Sequence, residues 1–344
     1  MKTPHPLTQL CAAAFLFAAA VPAGFAQAPT STGPSTELRT GSGQAYPSQQ
    51  IRIICPFPAG GGTDLTSRLL AEQLSRTLGQ PFVVENRTGA SGMIGTGAAA
   101  SSPADGYTLL VASGEVALNP HLYKKMAYDW DRNLQPITLL VKVPNVMAVN
   151  MDVPAKSVAE FIAYAKENDG KLTFSSSGVG NPQQLTGEMF NKMAGVRIRH
   201  VPYKGAAPQL TDVAGKHITM TFVSIGAALP FINGNRIRPI GVTSLTRVSV
   251  LPDVPAIAEH PPLAGFELVN FFGFFAPAGI PDPILRRLNA AAVEALKTPE
   301  LSSKLRASGF EPSPTSPEQF REFIRGESAK FAKIIEDAGI KLEQ

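Results

Sequence analysis

The chain has 344 residues, of which 44% are hydrophobic and 17% are charged, and its formal net charge is +4 at pH 7. This length and apolar content suit a globular protein of two domains. The small positive charge is not gathered into a basic cluster, so no nucleic-acid partner is predicted.

Residues 1–28 predict a secretory signal peptide. A long apolar run is followed by small residues, which place the cleavage near Ala26 or Ala28. Cys11 lies inside this segment, and the bulky leucine before it disfavours lipid attachment. Cleavage leaves Cys55 without a cysteine to pair with inside the chain. The sequence therefore predicts an exported, soluble monomer.

Residues 29–47 are polar and rich in Ser, Thr, Pro and Gly. Such a composition cannot bury enough apolar surface to offset the entropy lost on folding. We therefore expect a disordered tether between the signal peptide and the fold.

The segment CPFPAGGGTDLTSR, Cys55–Arg68, joins an apolar β-branched run to a helical run. Leucines recur at helical spacing up to Leu78, and Gly79 stands at the predicted C-cap. The first N–H groups of a helix lack partners and lie at the positive end of its dipole, which suits an anion. The glycines match neither a phosphate-binding loop, which needs a following lysine, nor a G-x-G-x-x-G loop. A tight turn without a ligand is the alternative.

Reactive side chains near this loop have simpler interpretations. Cys55 ends an apolar strand, which favours a buried thiol over a catalytic one. Thr63 and Asp64 are predicted helix caps, although Asp64 could also act as a general base. Lys204 follows another predicted strand and could pair with a carboxylate, but a lysine at a turn is usually solvated.

Short β-branched runs alternate with helical runs along most of the chain, which predicts an α/β fold with largely parallel sheets and helices on both faces. Extended stretches near Asn150 and Asn270 are predicted to cross between two lobes. The first lobe then comprises residues 48–150 and 271–344, and the second comprises residues 151–270. Two crossing strands would form a hinge beside a cleft.

Loops that follow strands are the candidate site, because ligands of open α/β sheets bind beyond the carboxyl ends of the strands. Ser113 follows one predicted strand, and SSSGVGNPQQ follows another. There Asn181 is the predicted N-cap, Pro182 the first helical residue and Gln184 the capping-box partner. Several helix starts fronted by Gly and hydroxyl residues would supply donors for a carboxylate. At each loop an ordinary capped turn is the alternative.

Motifs for catalysis or metal binding are not found. The chain has no H-E-x-x-H and no G-x-S-x-G sequence. The histidines outside the signal peptide share no ligand-like spacing with one another, with Cys55 or with an acidic cluster. Neither a metal nor a cofactor is predicted.

The order of motifs resembles the periplasmic receptors of tripartite tricarboxylate transporters, the TctC type or Bug family. The resemblance runs from Tyr46 to Leu342 and rests on YPSQQIRIICPFPAGGGTD, LGQPFVVENRTGASG, PADGYTLL, NPHLYKKMAYD, VPAKSVAEFIAYAK, HVPYKGAAPQLTDVAG, LPDVPAIAE and APAGIPDPILRRLN. It implies a two-lobed type II periplasmic-binding fold, α/β, with two mixed sheets, flanking helices and a two-strand hinge. It also implies a periplasmic, non-enzymatic receptor that delivers a small carboxylate to a permease of one large and one small integral-membrane subunit.

The resemblance also implies which loops hold the ligand's carboxylate. The loop after the first strand corresponds to Phe57, Gly61 and Thr63, and Asp64 and Ser113 are further candidates in the first lobe. The loop of the second lobe corresponds to Ser177, Gly178 and Asn181. Two other functions stay open: a module that reports the ligand to a signalling partner, and a secreted hydrolase or isomerase that would turn it over.

Two departures from the family pattern bear on the ligand. Relatives commonly have F-D-N where this chain has Phe222-Val223-Ser224, and Trp or Tyr near the position of Phe272. Val223, Ser224 and Phe272 are therefore candidate site residues. The missing acidic side chain at Val223 disfavours an ammonium group on the ligand, and a phenyl wall favours a flat or aliphatic body. The predicted ligand is an aromatic carboxylate or a medium-length aliphatic dicarboxylate, ahead of citrate, with amino acids last.

Overall fold

The computed structural model describes residues 46–339, so the predicted signal peptide and most of the predicted tether lie outside the described residues. Tyr46, the first described residue, is buried and donates its hydroxyl to the Gly106 carbonyl at 2.8 Å. Its ring also packs edge-on against Tyr107, with centroids 5.4 Å apart. Tyr46, which the prediction assigned to the end of the tether, therefore has both an aromatic contact and a hydrogen-bond partner within the described residues.

The strands of the described residues lie in two sheets. In chain order they are β1 (Ile51–Cys55), β2 (Phe82–Asn86), β3 (Thr108–Ser113), β4 (Leu134–Val143), β5 (Asn145–Asn150), β6 (Thr173–Ser176), β7 (Arg199–Pro202), β8 (Met220–Ser224), β9 (Ile237–Val242), β10 (Asn270–Pro277) and β11 (Glu311–Pro312).

Helices connect these strands and cover the sheets. They are α1 (Gly62–Leu78), α2 (Met93–Ala100), α3 (Glu115–Leu118), α4 (Trp130–Asn133), α5 (Val158–Glu167), α6 (Pro182–Ala194), α7 (Ala206–Ala214), α8 (Ile225–Asn233), α9 (Asp282–Lys297), α10 (Pro299–Ala307) and α11 (Pro317–Ala338). Within residues 46–339, none of them is both long and apolar enough to cross a membrane.

Both sheets are mixed. The first has the order β11-β4-β10-β3-β1-β2, and the second has the order β7-β6-β8-β5-β9. In the first sheet β1 pairs in parallel with β2 and β3, whereas β10 runs antiparallel to β3 and β4. In the second sheet β5 runs antiparallel to β8 and β9. The largely parallel arrangement predicted from the alternation is wrong, because the strands at the two crossings run against their neighbours.

The chain changes sheet at two adjoining places. β4 ends at Val143 and β5 begins at Asn145, so the first change falls at Pro144, earlier than the boundary predicted near Asn150. The return occurs before β10, whose first residue, Asn270, is paired with Val143. The Leu268 N–H also donates to the Thr243 carbonyl at 3.2 Å. The two connections therefore run side by side.

Each sheet buries apolar side chains on both faces, as the alternation of side chains along a strand requires. In β5, Met147 and Val149 pack with α5 and α6, whereas Val146 and Ala148 pack with α7 and α8. In the first sheet, one core lies under α1 and α9 and the other under α11. These cores fix which strand ends face the space between the sheets.

We expect Gly273→Ala to destabilise the fold. A Cβ at Gly273 in β10 would overlap the Phe320 ring of α11, and overpacking of this kind costs about 1–3 kcal/mol. Urea denaturation measures the free energy of unfolding. The control is Gly326→Ala in α11, where a Cβ has open space and the change should stabilise the helix by about 0.5–1 kcal/mol. Equal stability of the Gly273→Ala variant and the wild type would contradict the close packing of β10 on α11.

Candidate ligand-binding site

A cavity of about 710 Å³ is lined by residues of both sheets, a volume typical of small-molecule sites. It lies at the carboxyl ends of β1, β3, β6 and β8, where the sequence predicted the site. Of the candidates named from the sequence, eight line it: Phe57, Gly61, Thr63, Ser113, Ser177, Asn181, Ser224 and Phe272.

The three glycines after β1 differ in their backbone conformation and in the space around them. Gly60 has a φ of +82°, which L side chains rarely adopt. A Cβ at Gly62 would lie 2.9 Å from Phe310 and 3.1 Å from Phe272. Gly61 has the ordinary φ of −79°, and a Cβ there would lie 3.4 Å from the Pro58 carbonyl oxygen. Gly61 lines the cavity, and a side chain there would not strain the loop backbone.

Helix α1 begins at the cavity wall without a capping side chain. Its N-cap residue is Gly61, which has no side chain to offer. The Leu65 N–H donates to the Gly61 carbonyl at 2.9 Å, so the N–H groups before Leu65 are the ones exposed by the helix start. Thr63, the second helical residue, lines the cavity beside them. Thr63 is thus not the N-cap predicted from the sequence.

Asp64 braces the glycine loop from behind and does not line the cavity. Its carboxylate accepts hydrogen bonds from the Gly60 N–H at 2.9 Å, from Arg68 at 3.0 Å and from Asn86 at 2.9 Å. Asp64 is only 3% exposed. Burial raises the pKa of Asp64, but the hydrogen bonds from Arg68, Gly60 and Asn86 outweigh burial and lower the pKa below its usual value. The carboxylate therefore stays ionised and holds the loop.

Helix α6 starts at the opposite wall with the predicted cap. The Asn181 side chain accepts the Gln184 N–H at 2.9 Å, and Pro182 is the first helical residue. Gln184 accepts from the N–H of Gly180, one residue before the capping residue, at 2.7 Å. The Asn181 amide also donates to the Ser177 hydroxyl oxygen at 2.9 Å. The Ser177 proton is then available to an acceptor in the cavity.

Further helix starts line the same cavity. Ala206 is the first residue of α7, and Ser224 is the N-cap residue of α8, followed by Gly226 and Ala227. The positive ends of four helices, α1, α6, α7 and α8, therefore meet at one space.

Asn145 adds a buried donor that has no acceptor. It lies on β5 opposite Ser224, lines the cavity and is 3% exposed. Its backbone is fixed to Thr243 by hydrogen bonds of 2.9 and 3.0 Å. Its side-chain Nδ2 has no hydrogen-bond partner among residues 46–339. A buried amide left in this state is costly, so an acceptor in the cavity would stabilise it.

One wall is aromatic. Phe272 packs edge-on against Phe310 with centroids 5.4 Å apart, and both line the cavity. The neighbouring Phe271, Phe274 and Phe275 are buried in the cores: Phe274 shares one core with Phe272, and Phe271 and Phe275 lie in the other. Trp130, the one tryptophan of the sequence, is buried in the core under α11 and does not line the cavity.

Gly178 and Val223 do not line the cavity. The Gly178 carbonyl accepts a hydrogen bond from the Ser176 hydroxyl at 2.6 Å. Val223 is fully buried in the core under α7 and α8. It precedes Ser224 on β8, and adjacent residues of a strand point to opposite faces, so only Ser224 reaches the cavity. The valine at position 223 therefore gives no support to the prediction that the ligand lacks an ammonium group.

Sequence reasoning missed Glu115, Asn145, Gln183 and Asn270, which also line the cavity. Glu115 and Gln183 each lie two residues after a predicted site residue, Ser113 and Asn181, so their positions in loops that follow strands could have indicated them. Asn145 and Asn270 lie where the chain changes sheet, which only the observed register reveals.

Other reactive side chains lie away from the cavity. Cys55 is buried, and burial raises the pKa of its thiol. His200 contacts Ser176 at 2.7 Å, and burial lowers the pKa of His200 to about 4, which makes it a weak base at neutral pH. Lys204 is exposed. Among residues 46–339 no group of His, Cys, Asp and Glu side chains could hold a metal ion.

Two mixed sheets around a cleft with converging helix starts define a small-molecule binding protein. Residues 66–340 match the family described as "Tripartite tricarboxylate transporter family receptor", and the chain belongs to that family. Protein BugT of Bordetella pertussis is 34% identical over 306 residues, which cover 88% of this chain and 93% of BugT. The resemblance found in the sequence is confirmed.

Solved structures agree with this assignment. The structure "R. palustris Rpa4515 with adipate" is 35% identical, covers 87% of this chain and 100% of its own, and superposes with a TM-score of 0.76. The periplasmic binding protein BugD is 32% identical, with coverages of 87% and 100% and a TM-score of 0.72. The predicted periplasmic-binding fold with two mixed sheets is confirmed.

We expect Asp64→Asn to destabilise the protein at neutral pH and to matter less in acid. Hydrogen bonds to a buried charged group contribute about 1.5–3 kcal/mol. The pKa of Asp64 is lower in the folded protein than in the unfolded chain. Its contribution to the free energy of unfolding is therefore fully present above the unfolded-state pKa of about 3.9, and it is lost as the pH falls through the folded-state pKa. Urea denaturation at pH 7 and pH 3.5 measures the difference between variant and wild type.

The control is Asp253→Asn at an exposed aspartate, which should change stability by less than about 0.5 kcal/mol. If the Asp64→Asn difference were the same size at both pH values, the charge of Asp64 would not be what braces the loop.

Proposed function

We propose that this protein is an extracytoplasmic receptor that binds a small carboxylate in the cavity and delivers it to a tripartite tricarboxylate-type permease. The observation that carries the proposal is the meeting of four helix starts around one cavity. The lining residues include no Lys, Arg or His, so an anion there would be held by backbone and side-chain donors instead of a counter-charge.

The ligand's carboxylate would lie at the start of α1. Gly61 leaves room for it, the first N–H groups of α1 face it, and Thr63 offers a hydroxyl beside them. Across the cavity, the Ser177 hydroxyl and the unpartnered Asn145 amide would donate to the rest of the ligand. Gly178 and Val223 are not part of this site, and Asp64 acts by positioning the loop.

For the ligand we propose an aliphatic dicarboxylate of medium length or an aromatic carboxylate. The wall formed by Phe272 and Phe310 supports an apolar body between polar ends. The similar protein solved with adipate supports the dicarboxylate. The preference against amino acids no longer has support from Val223 and rests on the aromatic wall alone.

Delivery requires a ligand-dependent change of shape. We propose that the two sheets belong to two lobes that close about the adjoining connections at Pro144 and Asn270. The mature protein would be a periplasmic monomer that presents its closed form to one large and one small membrane subunit. The family supports the transport partner, and no contact described here favours a signalling partner or ligand turnover.

We expect Gly61→Val to reduce affinity for adipate at least about tenfold, because the side chain would occupy the place of the carboxylate. Thr63→Ala should cost about 1–2 kcal/mol of binding free energy, the loss of one hydrogen bond to a charged group. Calorimetry with succinate, adipate, citrate and benzoate measures both, with folding checked by circular dichroism. Gly326→Ala on α11 should bind as the wild type does. Wild-type affinity in both loop variants would remove the start of α1 from the site.

Transport and sensing predict different phenotypes for a strain that lacks this protein. For transport, uptake of the labelled ligand should fall and should be restored by the wild-type gene but not by the Gly61→Val gene. Unchanged uptake, together with loss of a transcriptional response to the ligand, would contradict delivery to a permease.

A further inference from the structure

Glu115 is the one ionisable side chain among the described residues that line the cavity. It follows β3 as the first residue of α3. A carboxylate at this place is unexpected in a site proposed to bind carboxylates, because two negative charges in one cavity disfavour each other.

The turn that carries Glu115 is fixed by its surroundings. The Gly114 N–H donates to the Asn270 side-chain oxygen at 3.0 Å, and a Cβ at Gly114 would come within 2.5 Å of that oxygen. The Ser113 hydroxyl donates to the Glu115 carboxylate. Glu115 also lines a small recess with Thr96 and Tyr128. The contact with Asn270 fixes the backbone of the turn, and the Ser113 hydroxyl holds the Glu115 side chain.

No cation compensates Glu115 among residues 46–339; its carboxylate accepts hydrogen bonds from the Ser113 hydroxyl and from its own backbone N–H. Tyr128 lies near it: burial, with a smaller contribution from the charge of Glu115, raises the pKa of Tyr128 to about 12. The titratable groups on the neighbouring elements have other partners. Asp64 of α1 pairs with Arg68, and Glu327 of α11 pairs with Lys330 at 2.7 Å. His121 forms a hydrogen bond with Ser328 at 2.8 Å. Burial raises the pKa of Glu115, and it outweighs the two hydrogen bonds, which lower the pKa.

We propose that Glu115 takes up a proton from solvent when an anionic ligand binds and holds the ligand as a neutral acid. The carboxylate of Glu115 gains one proton, no other covalent bond changes, and the carboxyl group then donates a hydrogen bond inside the cavity. This proposal rests on the proposed function, since it assumes that the cavity binds a carboxylate. It makes Glu115 a specificity-determining residue that couples ligand affinity to pH.

The coupling has a defined sign. Consider the pH range in which Glu115 is ionised in the ligand-free protein and protonated in the complex. There the protein takes up one proton for each ligand that binds, and the affinity falls by up to about tenfold per pH unit as the pH rises. Below the pKa that Glu115 has in the ligand-free protein, Glu115 is protonated before and after binding, so the affinity no longer changes with pH. A ligand with an ammonium group would instead pair with ionised Glu115 and would lose affinity as the pH falls.

The test is calorimetry from pH 5.5 to pH 8 in two buffers that differ in ionisation enthalpy, with adipate, succinate, malate, benzoate and aspartate as probes. For the wild type we expect tighter binding at low pH and uptake approaching one proton per adipate. Glu115→Gln should bind adipate at every pH about as tightly as the wild type does at low pH, with no proton uptake. Glu188→Gln is the control, because burial also raises the pKa of Glu188, which does not line the cavity; it should behave as the wild type.

Two results would overturn the proposal while leaving the receptor function intact. One is pH-independent adipate binding without proton uptake in the wild type. The other is tightest binding of aspartate, with loss of that binding in Glu115→Gln, which would mean that ionised Glu115 pairs with an ammonium group. If no probe bound to the wild type or to Glu115→Gln at any pH, the proposed carboxylate receptor would fail and the role of Glu115 with it.

Discussion

The start of α1 has to face the cavity with its backbone N–H groups uncovered, and much of the surrounding structure serves that requirement. Gly61 offers no capping side chain, Gly60 allows the turn that leads into the helix, and Gly62 lets Phe272 and Phe310 pack against it. Asp64 ties the loop to Arg68 and Asn86 from the buried side. The start of α1 is thus held in place from the buried side, while no Lys, Arg or His is among the described residues that line the cavity.

The absence of cationic side chains from the lining has a consequence for transport. A ligand held by neutral donors depends on hydrogen bonds from both walls and on the exclusion of water that strengthens them, and both are lost when the two walls separate. Opening of the cleft would therefore weaken all contacts together and favour release. Glu115 would also favour release. If its carboxylic acid loses the proton when the cleft opens, the resulting carboxylate would repel the anionic ligand.

The features that could be predicted from the sequence are those set by neighbours along the chain. The strand, glycine loop and helix from β1 to α1, the cap at Asn181 and the C-cap at Gly79 follow from residues within a few positions of each other. Val223 was misassigned because strand register decides which face reaches the cavity. The contribution of Asn145 depends on where the chain changes sheet, and α8, which contains Pro230, carries no helical signal strong enough to be predicted.

A crystal structure of the mature protein with bound adipate tests the central claim most directly. It should place one carboxylate of the ligand within about 3 Å of backbone N–H groups at the start of α1, with the Asn145 amide donating to the ligand and no Lys or Arg side chain in contact. A ligand bound outside this cavity, or a carboxylate held by a basic side chain away from α1, would contradict the account.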